Sequence, residues 1–133
     1  MEYPQTKFNP DWVKGNVLID DDVIKWTKSF GKYLSFSEGY KSTAMSTSQI
    51  RKFFGEIKKI QADFNKYGTK VPLLDAKLAY AVGKNRKSKI KQFYEQIKMG
   101  IHSVKNDKSN FDRLVSIIES IVAFHKFHEE NLD

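Results

Sequence analysis

Apolar residues recur along this chain at intervals of three and four rather than two, which is the period of amphipathic helices and not of strands. Val23, Trp26, Phe30 and Tyr33 make the first such stripe, preceded by Asp20, Asp21 and Asp22, which offer N-cap oxygens and negative charge where a helix begins. The Ser37 to Ser48 stretch breaks it. A second stripe follows through Ile50, Phe53, Phe54, Ile57, Ile60 and Phe64, with Ser46 and Gln49 at the spacing of a capping box. Gly68 and Pro72 bracket a turn, and Leu73 to Lys84 reads as a short, Ala-containing helix that ends near Gly83 and Asn85.

Ser88 can cap a fourth helix carrying Ile90, Phe93, Tyr94, Ile97, Ile101 and Val104, and Asn106 to Ser109 interrupts the pattern again. From Phe111 onward, Leu114, Val115, Ile117, Ile118, Ile121, Val122 and Phe124 cover about half a helix circumference, which predicts a central position for the last helix. The expected fold class is therefore all-α, a compact bundle of about five helices. Residues 1–19, with Pro4, Pro10 and Gly15 and no helical period, read as an irregular N-terminal arm, with Trp12 placed to pin it to the body. Residues 20–133 read as a single helical-bundle domain.

Composition bounds what such a bundle can do. The 133 residues are 40% hydrophobic and 14% aromatic, enough apolar material for one core. There is no cysteine, which excludes disulfides, thiolate nucleophiles and Cys-ligated zinc and fits a reducing, cytoplasmic setting. No apolar run approaches the ~18 residues of a spanning helix, so no membrane association is expected.

The net charge of +7 is unevenly placed. Residues 1–40 sum to −1 and residues 106–133 to −3, whereas residues 41–105 hold fifteen Lys and Arg against four acids, a surplus of +11. Such a contrast is the electrostatic footprint of a polyanion-binding segment.

Two groups carry that surplus. On a helical wheel the second helix points Lys52, Gly55, Lys59, Ala62 and Lys66 away from its apolar stripe, with Arg51 and Lys58 flanking them. Gly55 costs roughly 1 kcal/mol in an exposed helix interior, and small residues between cations let a phosphate backbone approach closely. The second group is Lys84, Arg86, Lys87, Lys89 and Lys91. Lys84 suits a helix C-terminus, but Lys89 and Lys91 in a first turn oppose the helix dipole, which points to an anion partner. Phe36, Tyr67 and Tyr80 are candidates for stacking on unpaired bases, with Tyr80 the best placed between the two groups.

Catalytic patterns are lacking. His125 and His128 sit one turn apart beside Glu129, but without the His-Glu-x-x-His spacing or any Cys they read as packing residues, so no metal or other cofactor is expected. Phosphate loops and nucleophile elbows are missing, and Glu56, Asp63, Asp75 and Glu95 are too scattered among lysines for a two-metal nuclease. Helical ribonucleases that pair an Arg with a His four to six residues later find no such pair here.

At Thr47-Ser48-Gln49-Ile50-Arg51-Lys52-Phe53, and again at Lys77-Leu78-Ala79-Tyr80-Ala81 followed by Gly83 and Lys84, the chain resembles the small subunit of type III-A CRISPR Csm effector complexes. The likeness covers roughly residues 41–100. It implies a non-enzymatic helical subunit of an antiviral RNA-guided complex, present in several copies, contacting target and guide RNA and the other Csm subunits. Carried onto this sequence it marks Lys41, Arg51 and Lys52, and Lys84 at a position often occupied by Arg. The expected RNA-binding residues are thus Lys41, Arg51, Lys52, Lys58, Lys59, Lys84, Arg86 and Lys87, with Tyr80 for base stacking. The rival readings are a helical DNA-binding regulator, a small nuclease, and an assembly adaptor whose basic face meets an acidic protein.

Overall fold

A computed structural model describes residues 3–4, 7–14, 19–37 and 43–129. Among them the regular structure is entirely helical: α1 (Asp21–Ser35), α2 (Thr47–Ala62), α3 (Phe64–Tyr67), α4 (Leu73–Lys84), α5 (Ile90–Ser103) and α6 (Lys108–Glu129), with 3₁₀ turns at Pro10–Trp12 and Gly68–Lys70.

The helix starts follow their capping chemistry. Asp20 accepts from the Val23 amide at 3.1 Å, and Asp21 and Asp22 set negative charge in the first turn of α1. At α2 the capping box is complete: Ser46 Oγ accepts from the Gln49 amide at 3.1 Å while Gln49 Oε1 accepts from the Ser46 amide at 2.8 Å.

Among the described residues six helices stand where about five were expected, because the second apolar stripe is cut at Asp63. That residue takes φ −146° and ψ 72°, and its carboxylate accepts from the Lys66 amide at 3.3 Å, starting the single turn of α3. A short acid that bonds nearby backbone competes with helix continuation. Phe64 still reaches the core, stacked 5.4 Å from Phe111. The last helix starts at Lys108, ahead of Phe111, with Asp107 Oδ1 accepting from the Asn110 amide at 2.9 Å.

α6 lies at the centre, packed against α1, α2 and α5, while α4 packs on α5. Its approach to α1 is closest at Gly31, where a Cβ would stand 2.8 Å from the Ile121 carbonyl oxygen and 2.9 Å from the His125 amide nitrogen. Glycine is what lets these two backbones meet. Thr27 and Ser120, beside that crossing, bond to each other at 2.8 Å.

The core is aromatic-rich. Trp26, Phe30, Phe93 and Phe53 form a continuous run of ring contacts, each centroid within 6.4 Å of the next. Each fully buried Phe contributes roughly 2–3 kcal/mol by leaving water. Phe8 and Val13, from the stretch without helical period, are also buried. Phe8 lies over Gly100 and its amide donates to Gln96 Oε1 at 2.7 Å, while Trp12 meets Trp26 at 5.2 Å.

Candidate nucleic-acid interface

α2 and α4 lie side by side and run in opposite directions. Near the start of α2, Gln49 Oε1 accepts from Ser88 Oγ, just beyond the end of α4, at 3.1 Å. Midway, Lys77 Nζ on α4 bonds Glu56 on α2 at 2.8 Å. At the far end, Ala62 and Asp63 share a cleft with Leu73 and Leu74, the first residues of α4. The two helices therefore flank a surface groove that the Lys77–Glu56 pair bridges midway.

The groove opens into a concavity at each end. One, of about 600 Å³, is bordered by Lys84, Arg86, Lys87 and the capping residues Ser46 and Gln49. The other, of about 560 Å³, is bordered by Lys59, Lys70, Lys77 and Tyr67 over a floor that includes Ile60 and Leu74. Lys66 and Lys70 both stand over the Tyr67 ring, at 5.2 and 5.0 Å. The one carboxylate in the middle, Glu56, is held below the usual carboxylate range by the Lys77 hydrogen bond first and by the nearby charges of Lys77, Lys59 and Lys52.

The basic face expected on α2 divides between two sides. Lys52 and Lys59 share the wheel edge of Glu56 and so border the groove. Lys58 turns toward α6, where Nζ donates to Gln61 at 3.0 Å and stands 3.9 Å from Glu119; Gln61 in turn donates to Asp112 at 3.1 Å. Its charge is partly met inside the protein, so its expected role is the weakest of the α2 cations. Arg51 is exposed on the same side as Lys58 and forms no ion pair with a described residue. Gly55, between these rows, is exposed, and a Cβ there would have nothing within 4 Å. Lys41 lies outside the described residues.

Lys84, Arg86 and Lys87 are all exposed and share one concavity, so three of the five cations of the second basic group come together, and Lys91 is not among its lining residues. Lys89 does not belong to it. It is 3% exposed, and Nζ donates to the Tyr33 carbonyl at 2.8 Å. Its position before α5, unfavourable for that helix, is explained by the last turn of α1, where the Tyr33 carbonyl has only a long 3.4 Å backbone bond from the Phe36 amide. Lys89 therefore serves the end of α1 and not an external anion.

Tyr80 is 73% exposed, more than Leu73, Phe127 or Ile24, the other large apolar side chains that face outward. Helical spacing puts it on one stripe of α4 with Leu73, Lys77 and Lys84, along the groove. Tyr67 is half-buried under its two lysines, and Phe36 is half-buried at the end of α1. Lys70 and Lys77 are groove cations outside the expected RNA-binding set, although Lys77 opens the motif that contains Tyr80 and lies one turn from it.

His125 Nε2 is bonded to the Met45 carbonyl at 2.7 Å and His128 is buried, and among the described residues no three His, Asp or Glu converge as a metal site. No helix among them is long and apolar enough to cross a membrane.

No curated protein and no solved structure matches the chain. A family model described as Csm2 Type III-A matches residues 20–131, a span that takes in all six helices and both walls of the groove. This chain therefore belongs to the Csm2 family, the small subunits of type III-A CRISPR Csm effector complexes.

Proposed function

We propose that this chain is a non-catalytic RNA-binding subunit that holds RNA by its phosphates along the α2–α4 groove while neighbouring Csm subunits carry out the chemistry of antiviral defence. The observation that carries this reading is the gathering of Lys59, Lys70, Lys77, Lys84, Arg86 and Lys87 at the two concavities between α2 and α4, with Lys52 near Glu56, against two carboxylates, the salt-bridged Glu56 and the capping Asp63. Tyr80 supplies an exposed ring on the same stripe, where an unpaired base can stack. Phosphate contacts position a strand without reading its sequence, so the subunit serves any guide and target. Several copies, each gripping weakly, act together along the complex and stabilise its filament. The proposed setting is cytoplasmic.

The test is to reconstitute the complex with guide RNA and photo-crosslink a bound target. Crosslinks from the target or guide to Tyr80 and its neighbours on α4 are expected. Crosslinks from this subunit to protein but never to RNA would favour the adaptor reading. Preference for duplex DNA over RNA would favour the regulator.

A further inference from the structure

On α4, Asp75 lies roughly 160° around the helix from Lys77, facing away from the groove. Around it, between the Pro10–Trp12 turn and the end of α5, is a separate concavity of about 580 Å³. Lys14, Lys98, Lys105 and His102 all border it, with Asp75 as the one acid. That acid is already engaged. Tyr94 Oη donates to Asp75 Oδ1 at 2.5 Å and His102 Nε2 bonds Oδ2 at 2.5 Å, so the carboxylate fixes the ring and the phenol; its charge reaches Lys98, but none of the three lysines forms an ion pair with a described residue. Lys98 is steered by the face of Tyr94, 5.4 Å away.

A second observation concerns the backbone. Lys105 and Asn106 both have positive φ, 52° and 58°, in the tight turn closed by the Asp107 amide and the Val104 carbonyl at 3.0 Å. Asn tolerates this region, but Lys is strained there by about 1–2 kcal/mol, which Gly would avoid. Strain of this kind persists at sites where the side chain is needed. Here it sets a third cation at the rim of the concavity.

We propose that this concavity is a binding site for a phosphomonoester group, a compact dianion held by Lys14, Lys98 and Lys105 beside His102. It lies on the opposite edge of α4 from the RNA groove and does not depend on it. A phosphomonoester can arrive free, as inorganic phosphate or a mononucleotide, or as the 5′ end of an RNA strand.

The experiment is an amide NMR titration of the full chain with inorganic phosphate at constant ionic strength, followed by 5′-AMP and by short RNAs with 5′-phosphate or 5′-hydroxyl ends. Saturable shifts at Lys98, His102, Ser103, Lys105 and Asn106, with half-saturation on the order of 1 mM or tighter, are expected. A preference of the 5′-phosphorylated over the 5′-hydroxyl RNA at these residues identifies strand ends as the source, and equal behaviour of the two RNAs with tighter 5′-AMP binding identifies the free nucleotide. Lys105→Gly separates a binding role from a structural one. It should weaken phosphate binding at least about tenfold while raising Tm by about 3 °C through relief of the turn. Lys105→Arg should restore binding. Absence of saturable shifts there, or a Lys105→Gly chain that binds phosphate as well as the parent, overturns the proposal. RNA binding lost through substitutions in the α2–α4 groove leaves these phosphate shifts unchanged, so the two sites fail separately.

Discussion

Lys89 Nζ donates to the carbonyl oxygen of Tyr33 at 2.8 Å and lies 4.0 Å from the centre of the same residue's ring. One cation thus closes the C-terminal end of α1 by hydrogen bond, ring contact and helix dipole together. Lys89→Met keeps most of the stem and removes the donor, leaving the Tyr33 carbonyl with only the long 3.4 Å bond from the Phe36 amide. A loss of about 2 kcal/mol is expected, seen as a Tm lower by about 7 °C, whereas Lys91→Met, at an exposed position, should change stability by less than about 0.5 kcal/mol. Thermal denaturation of the two variants checks this, and RNA affinity measured well below Tm should be the same for Lys89→Met as for the parent.

Two glycines should respond to alanine with opposite sign. At Gly31 the new methyl would meet backbone atoms of α6 at 2.8 and 2.9 Å, which cannot rotate away, so Gly31→Ala should cost about 3 kcal/mol. At Gly55 it meets nothing within 4 Å, and the helix gains about 0.5–1 kcal/mol. Urea denaturation of both variants gives the comparison directly.

Acid should loosen the junction of α4 and α5. The Tyr94 and His102 hydrogen bonds, in that order, hold the Asp75 carboxyl below its ordinary range. A depressed folded pKa contributes stability that is complete above the unfolded value near ~3.9 and is lost as pH falls through the folded value. The Tm difference between the parent and Asp75→Asn should therefore be steady at neutral pH and shrink below about pH 4. Tyr94 is raised by the same contact, so its contribution is complete below ~10 and fades as pH rises through the folded value. Thermal scans across both pH ranges test the two signs.

Much of this fold was legible because its signals are local. The Ser46–Gln49 box and the Asp20 cap involve residues three apart in the chain, and both form as their spacing predicts. The break at Asp63 was hidden because Phe64 continues the apolar stripe across it, so periodicity alone joined α2 to α3. Phe8 and Val13 reach the core from a stretch with no period to reveal them. At the candidate interface, clustering of charge was readable and pairing was not. Lys89 finds Tyr33 fifty-six residues away and Lys58 finds Glu119 on the central helix, contacts that exist only once the bundle has closed.

Tyr80 offers a cleaner probe of RNA contact than any lysine. At 73% exposure its removal should leave stability within about 0.5 kcal/mol of the parent, while loss of one stacked base should weaken binding of unpaired RNA by about 1–3 kcal/mol. Tyr80→Phe should retain most of the affinity, since the ring face and not the hydroxyl makes the contact. Fluorescence anisotropy with single-stranded RNA distinguishes the two variants.

The central claim is that RNA is held by charge along the α2 and α4 surface, and the salt dependence of binding tests it most directly. Engagement of about six phosphates on a single strand predicts a log–log slope near −4, hence roughly 300-fold weaker binding between about 50 and 200 mM salt. Lys52→Gln with Lys84→Gln, two exposed cations of the groove, should flatten that slope by about 1.4 and weaken binding at low salt. Binding that ignores salt, or a double variant with the affinity and slope of the parent, would contradict the account.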